Sequence, residues 1–291
     1  MGNTWPFSEI RNKEPPNAAR LAIKGINSKY KSYTMAYRIF LYNEITDLDV
    51  ELVKRYISQK CSFAEVKIRD SFFIHFHSDE LVKSIASVWE TDIPGDGTIN
   101  LPIGERLEYE ENVYLNPESI SLQVVYDGLQ FMELMQAQIP QEEAMADTLH
   151  IFLTPRLMVT RGYMDKRHHA RTILAGQPSI ISSSGLVEAP ARSVEYYIFQ
   201  TGYKAMGKEI PDSVFKRKFQ DQFLVHNDTR LIDVILGYVL QAVAYRFMGE
   251  GFCDDPCCRL FNAHRQEEML RAQLESPDLC TRHQPLFDAV Q

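Results

Sequence analysis

The sequence has no apolar run approaching the ~18 residues needed to cross a bilayer, which argues against a membrane-embedded helical protein. Its opening residues, Met1-Gly-Asn-Thr-Trp-Pro6, lack the basic-then-apolar order of a secretory signal. Pro6 stands where a myristoylation site needs Ser or Thr. A cytoplasmic chain without a membrane partner is therefore expected. No internal repeat or low-complexity tract occurs. Ser182-Ser-Ser184-Gly185 lacks the Gly-x-Ser-x-Gly frame of a nucleophile elbow. Basic residues are scarce through the middle of the chain. From Asp79 to Asp147 there are fifteen acidic residues and two basic ones, Lys83 and Arg106, in a chain of net charge −8. Such a stretch repels phosphates and speaks against nucleic acid binding there; it reads as a solvated acidic face.

What remains is ordinary for a globular protein: 291 residues, 45% hydrophobic and 24% charged. Residues 1 to about 33 carry Pro15-Pro16 and scattered charge without periodicity, and are expected to form a loosely ordered arm. Residues 34–291 are expected to form a single domain. Ala36–Tyr42 reads as a strand. Asp49–Gln59 follows with apolar residues at helical spacing, and Ala64–Ile68 alternates as a strand does. Phe72–Phe76 is also read as a strand. Helices are expected at Asp79–Glu90 and Gly128–Ala137, with a loop from Asp92 to Gly104 around Pro94-Gly95-Asp96-Gly97. The acidic residues 79–147 are read as an insertion. Strands are expected at Leu149–Thr154, Ala170–Leu174 and Ser179–Ser184, and a helix at Arg192–Tyr203. A helix from Arg230 to about Met248, capped by Asp228 or Asn227, is apolar on every face and so belongs at the centre of a core. The order predicts a mixed α/β fold, helices packed on a sheet.

Cysteine is sparse and clustered. Four of the five fall within one 28-residue stretch near the C-terminal end, where a reducing compartment favours metal binding over disulfides. Cys253 and Cys258 form a C-x4-C pair. After twenty-one residues comes Cys280-x2-His283. Two short pairs across a longer loop supply the four N/S ligands of a tetrahedral zinc, so one structural zinc per chain is expected in the segment 250–291. Four protein ligands leave no open position for catalysis. Cys257 rivals Cys258, and one of the two is spare. Cys61 reads as a buried, inert thiol.

On these residues the chain resembles the archaemetzincins, metallopeptidase-like proteins of the metzincin clan. Their signature is H-E-x-x-H-x-x-G-x-x-H, followed by C-x4-C-x-M and a later C-x2-C. Cys253-x4-Cys258 matches the first pair, Cys280-x2-His283 the second with His for Cys, Gly249 the glycine, and Leu260 the methionine. Tyr37–Tyr42, Leu149–Thr154 and Ile180–Ser184 resemble other parts of the family. The resemblance implies a zincin-like sheet with packed helices, in an uncharacterised archaeal branch. The catalytic motif is missing. Ala242, Arg246 and Phe252 stand at the histidine positions and Val243 at the general base, and no histidine lies between His226 and His264. None of the eight histidines precedes a glutamate. The resemblance thus implies a metallopeptidase homologue without the inherited catalysis, binding a peptide or protein in the residual cleft, with the strand Ile180–Ser184 as the sheet edge where extended peptides lie. Two alternatives stay open: an enzyme with a metal site rebuilt from His168, His169, His226 or His264, and a zinc-ribbon-like nucleic-acid module, against which the poverty of lysine in residues 250–291 counts. His264 with Glu267 and Glu268 is a further candidate metal face on a helix. His168-His169, flanked by Lys166, Arg167 and Arg171, is a basic cluster read as a surface turn or an anion site.

Overall fold

Ile39 and Leu41 point to one apolar core and Phe40 and Tyr42 to another, and this alternation organises the molecule. A strand covered on both faces is apolar throughout, and helices must then flank it on two sides. The computed structural model describes residues 37–91, 99–121, 123–162 and 167–289. In chain order the main elements are β1 (Tyr37–Asn43), α1 (Val50–Lys60), β2 (Ala64–Ile68), α2 (Phe72–His75), α3 (Asp79–Ser87), α4 (Ile103–Leu115), β3 (Val125–Asp127) and α5 (Gly128–Gln136). They continue with β4 (Thr148–Thr154), β5 (Leu157–Arg161), β6 (His168–Ala170), β7 (Ile173–Leu174), β8 (Ser179–Ser182), α6 (Ser183–Glu188), α7 (Val194–Ala205) and α8 (Asp212–Phe219). The last are α9 (Leu231–Val243), α10 (Gln266–Leu270) and α11 (Gln284–Ala289).

The larger sheet has the order β2-β1-β4-β8-β7, parallel except for the β7–β8 pair. The smaller one runs β3-β5-β6, with β3 parallel and β6 antiparallel to β5. The mixed α/β class is as the sequence predicts. One face of the large sheet packs on α1 and α9 through Val53, Ile57, Leu149, Ile151, Leu153, Val239 and Val243. The other face packs on α2 and the acidic segment through Phe72, Phe73, Leu81, Ile85, Tyr126, Phe131 and Phe152. Among the described acidic residues of this layer, Glu105, Glu108, Glu111, Glu118 and Glu133 are exposed, while Glu110 is buried. Arg156, 2% exposed, ties that layer to the sheet: its guanidinium donates to Glu44 after β1 (3.1 Å), to Glu110 on α4 (2.8 Å) and to the Tyr126 hydroxyl (2.7 Å). Burial pushes the Glu44 carboxyl up, against the pull of Arg156.

Several elements differ from expectation. Phe72–Phe76 is a helical turn, because Ser71 caps it and two consecutive phenylalanines are buried together, which an alternating strand forbids. Helix α4 was hidden from the sequence because its buried face consists of Val113 and Glu110, the latter neutralised by Arg156. The expected strand at 170–174 is split: β6 joins the small sheet, β7 the large one. Ser182 ends β8 and starts α6, its hydroxyl accepting from Gly185 N–H at 2.8 Å. Strand β8 is also not a sheet edge, since it lies between β4 and β7. Helix α8 was not foreseen. Helix α9 has no side-chain cap; Asp228 instead takes the Arg230 guanidinium at 2.8 Å. The span Leu231–Met248 is, contrary to the run-length reading, long and apolar enough to cross a membrane by length and composition, but Val234–Ala244 is buried in the core. The N-terminal arm at 1–33 and most of the loop at 92–104 lie outside the described residues.

Candidate metal centre

Helix α9 brings the chain to the site and its ending sets the geometry. Ala244–Met248 continues it as a π-helical turn, and Gly249 stops it in the left-handed region at φ 75°. The chain then reverses in a loop closed by Cys253 N–H to the Leu260 carbonyl (2.8 Å) and Asn262 N–H to the Cys253 carbonyl (3.1 Å). Arg259, inside that loop, fastens it to α9 by donating to the Asp233 carbonyl at 2.7 Å. The second ligand pair sits on a tight turn, where His283 and Gln284 N–H both donate to the Cys280 carbonyl at 2.9 Å, and α11 follows.

Ligand atoms of Cys253, Cys258, Cys280 and His283 all lie within 4.8 Å of one another. The Cys253 and Cys280 sulfurs are 3.9 Å apart, and His283 Nδ1 is 3.7 Å from the Cys258 sulfur and 3.1 Å from that of Cys280. A tetrahedron with metal–sulfur bonds of about 2.3 Å has edges of about 3.8 Å, so the four atoms already stand near the corners that a zinc-sized ion requires. Cys258 and His283 are fully buried and Cys253 nearly so. Backbone amides converge on the sulfurs: Asp255 N–H reaches Cys253 at 3.3 Å and Cys280 N–H reaches Cys258 at 3.5 Å. Such donors stabilise thiolates. On the far side of the imidazole, buried Nε2 has no hydrogen-bond partner, yet Glu250 Oε2 is 3.6 Å away and itself accepts from Arg282 at 2.7 Å. A carboxylate behind a metal-binding imidazole fixes its tautomer and raises its basicity. The donor set therefore fits a metal ion held at Nδ1 and three sulfurs.

Without a metal the thiols differ. Burial pushes Cys258 up to about 12 and also raises Cys253. At Cys280 burial pulls upward as well, but hydrogen bonds with His283 and neighbouring amides outweigh it and bring the thiol down to about 7. Metal binding at neutral pH must then expel protons from the two raised thiols.

The structure separates Cys257 from this group. It is exposed, and its N–H is engaged by Asp255 Oδ1 at 3.0 Å. Cys61 is buried and its thiol is pushed up to about 12 by burial, as an inert core residue would be. The other candidate histidines go elsewhere. His168 Nε2 lies 3.3 Å from Glu90 and accepts from Arg161 at 3.1 Å, within strand β6 rather than a free turn. His169 is paired across the ladder with Thr160, and His226 Nε2 is 3.3 Å from Glu188. His264 precedes α10 rather than standing on it, and Glu268 is spent on capping, accepting from the N–H groups of His264 (2.9 Å) and Arg265 (3.0 Å). Among the described residues no second group of three or more metal-binding side chains is gathered. Sequence reasoning missed Glu250, whose only signal was its place one residue after Gly249.

The four positions that the motif resemblance sets against catalytic residues carry other side chains here. Ala242 and Val243 are fully buried in the core. Arg246 donates to the Thr148 carbonyl at 2.9 Å and to that of Met145 at 2.6 Å, clamping the helix end to the start of β4. Phe252 is 42% exposed.

No curated protein matches the chain. The crystal structure of archaemetzincin from Methanopyrus kandleri aligns with a TM-score of 0.43 and 11% identity, over 87% of this chain and 94% of that one. A family model matches residues 38–286, and the chain belongs to that family, the family of unknown function DUF7001.

Proposed function

We propose that this protein holds one structural zinc through Cys253, Cys258, Cys280 and His283, and that it is a metallopeptidase homologue without peptidase chemistry. The observation that carries the first half is the gathering of four ligand atoms within 4.8 Å, with three sulfurs, one imidazole nitrogen and no carboxylate among them. Soft thiolate sets select zinc over magnesium or calcium, and a four-ligand shell leaves no position for an activated water. When bound, the ion supplies folding energy, clipping the loop after α9 to the turn before α11.

The second half is supported by the catalytic positions read from the archaemetzincin motif. A zincin needs two imidazoles one regular turn apart, an open-site zinc whose water has a pKa near ~7, and a carboxylate to take its proton. Here the two positions are Ala242 and Arg246, and the π-helical turn that starts at Ala244 breaks the α-helical register between them. Such a scaffold is suited to binding a peptide or protein rather than cutting it.

The test is metal analysis and peptide hydrolysis on the same preparation. One zinc per chain and no chelator-sensitive hydrolysis are expected. Hydrolysis abolished by His168→Ala or His264→Ala, together with a second zinc, would instead establish a rebuilt catalytic site.

A further inference from the structure

A cleft of about 350 Å³, with none of the four metal-centre residues in its lining, lies between the loop at 220–230 and the segment from α10 to Glu275. That volume is at the lower end of small-molecule pockets, ~300–1,000 Å³. One wall is built in advance. Arg230 donates to the Asp221 carbonyl (3.0 Å) and the Phe223 carbonyl (2.7 Å) while pairing with Asp228, and so holds Asp221 at φ 70°. A non-glycine residue kept in the left-handed region is strained and persists only where its surroundings over-determine it.

The lining carries both signs of charge, and most of it is already committed. Arg230 is consumed by the loop. Arg192 donates to the Tyr196 hydroxyl at 2.6 Å, with Glu188 at 3.7 Å, and Arg265 faces Glu267 at 3.7 Å. Arg271 and Glu275 are different: neither side chain has a hydrogen bond or ion pair with another described residue, although both line the cleft. Leu270, Leu274 and Phe223 add apolar surface to the lining. A doubly charged phosphate entering here meets the carboxylates of Asp221, Glu267 and Glu275, and a simple cation meets four guanidinium groups. A ligand that bears both charges answers both sets.

We infer that this cleft binds a small zwitterion of the free α-amino-acid type, with its carboxylate on Arg271, its ammonium on Glu275 and Asp221, and an aliphatic body on the leucines. Charge-assisted hydrogen bonds of this kind are the strong ones, and the planar guanidinium suits a carboxylate. The inference is independent of the metal assignment.

Calorimetric titration of the full chain tests it with three probes: L-leucine, 4-methylpentanoate, which lacks the amine, and leucine methyl ester, which lacks the carboxylate. Saturable binding of leucine is expected, with each single-charge analogue weaker by about tenfold or more. Arg271→Gln and Glu275→Gln should each weaken leucine by a similar factor while the melting temperature and metal content stay unchanged, since both side chains are exposed. Absence of leucine binding, equal binding of either analogue, saturable inorganic phosphate binding in its place, or indifference to both substitutions would overturn it.

Discussion

Cys257 and Cys258 are neighbours in sequence, and the backbone sends their side chains to opposite environments. The Cys258 sulfur is buried against His283, with the Cys280 amide donating to it, whereas Cys257 faces solvent. Cys257→Ser is therefore expected to keep one metal per chain and an unchanged melting temperature. Cys258→Ser is expected to lose both the ion and about 4 kcal/mol or more of stability, the range reached when a structural metal is removed. Metal quantification with thermal unfolding of the two variants checks this, and the opposite pattern would move the ligand to Cys257. Spacing alone showed that four residues could meet around an ion, because paired ligands across a loop are a geometric signature. It did not distinguish adjacent thiols, which depends on how the loop from Cys253 to Leu260 closes. Nor could it show Glu250 behind His283, since a single carboxylate has no spacing to read.

At the scale of elements, α9 and its ending position the site. Gly249 adopts φ 75°, and a Cβ added there would meet nothing within 4 Å. The cost of Gly249→Ala is then backbone strain alone, and a loss of about 1 kcal/mol is expected in chemical denaturation. A variant as stable as the parent would show that the helix stop does not depend on that conformation. The elements that the sequence revealed well are those with simple burial. Strands β1 and β4 lie in the interior of a parallel sheet and read as apolar runs, and α9 is apolar all round because it is the core helix. Those that were hidden have mixed burial. In α4 the inward face is completed by a glutamate whose charge is answered by an arginine 46 residues later, a pairing that no local pattern encodes. In α2 two adjacent aromatic residues imitate a strand.

For the whole molecule, one sheet carries two cores, and the acidic layer is joined to it through polar groups that are sensitive to pH. His150 on β4 is fully buried, with Nδ1 2.8 Å from the Tyr42 hydroxyl and Nε2 3.2 Å from the Glu143 carbonyl, while Arg69 pairs with Glu143 at 2.6 Å. Burial lowers this imidazole from 6.5 to about 4. The unfolded chain therefore takes up the proton first as pH falls. Stability present above pH ~6.5 is lost progressively down to about 4, by on the order of 3 kcal/mol, and His150→Gln should flatten that part of the stability–pH curve. A parent protein whose stability is level across that window would contradict the buried neutral state. On the other side of the sheet, α9 delivers the chain to the proposed zinc site at Cys253, Cys258, Cys280 and His283. Zinc-edge X-ray absorption of the purified protein tests it most directly. One zinc per chain is expected, with three sulfurs at about 2.3 Å, one nitrogen at about 2.0 Å and no oxygen ligand. A shell containing oxygen, fewer than three sulfurs, or a protein that purifies folded without zinc would contradict it.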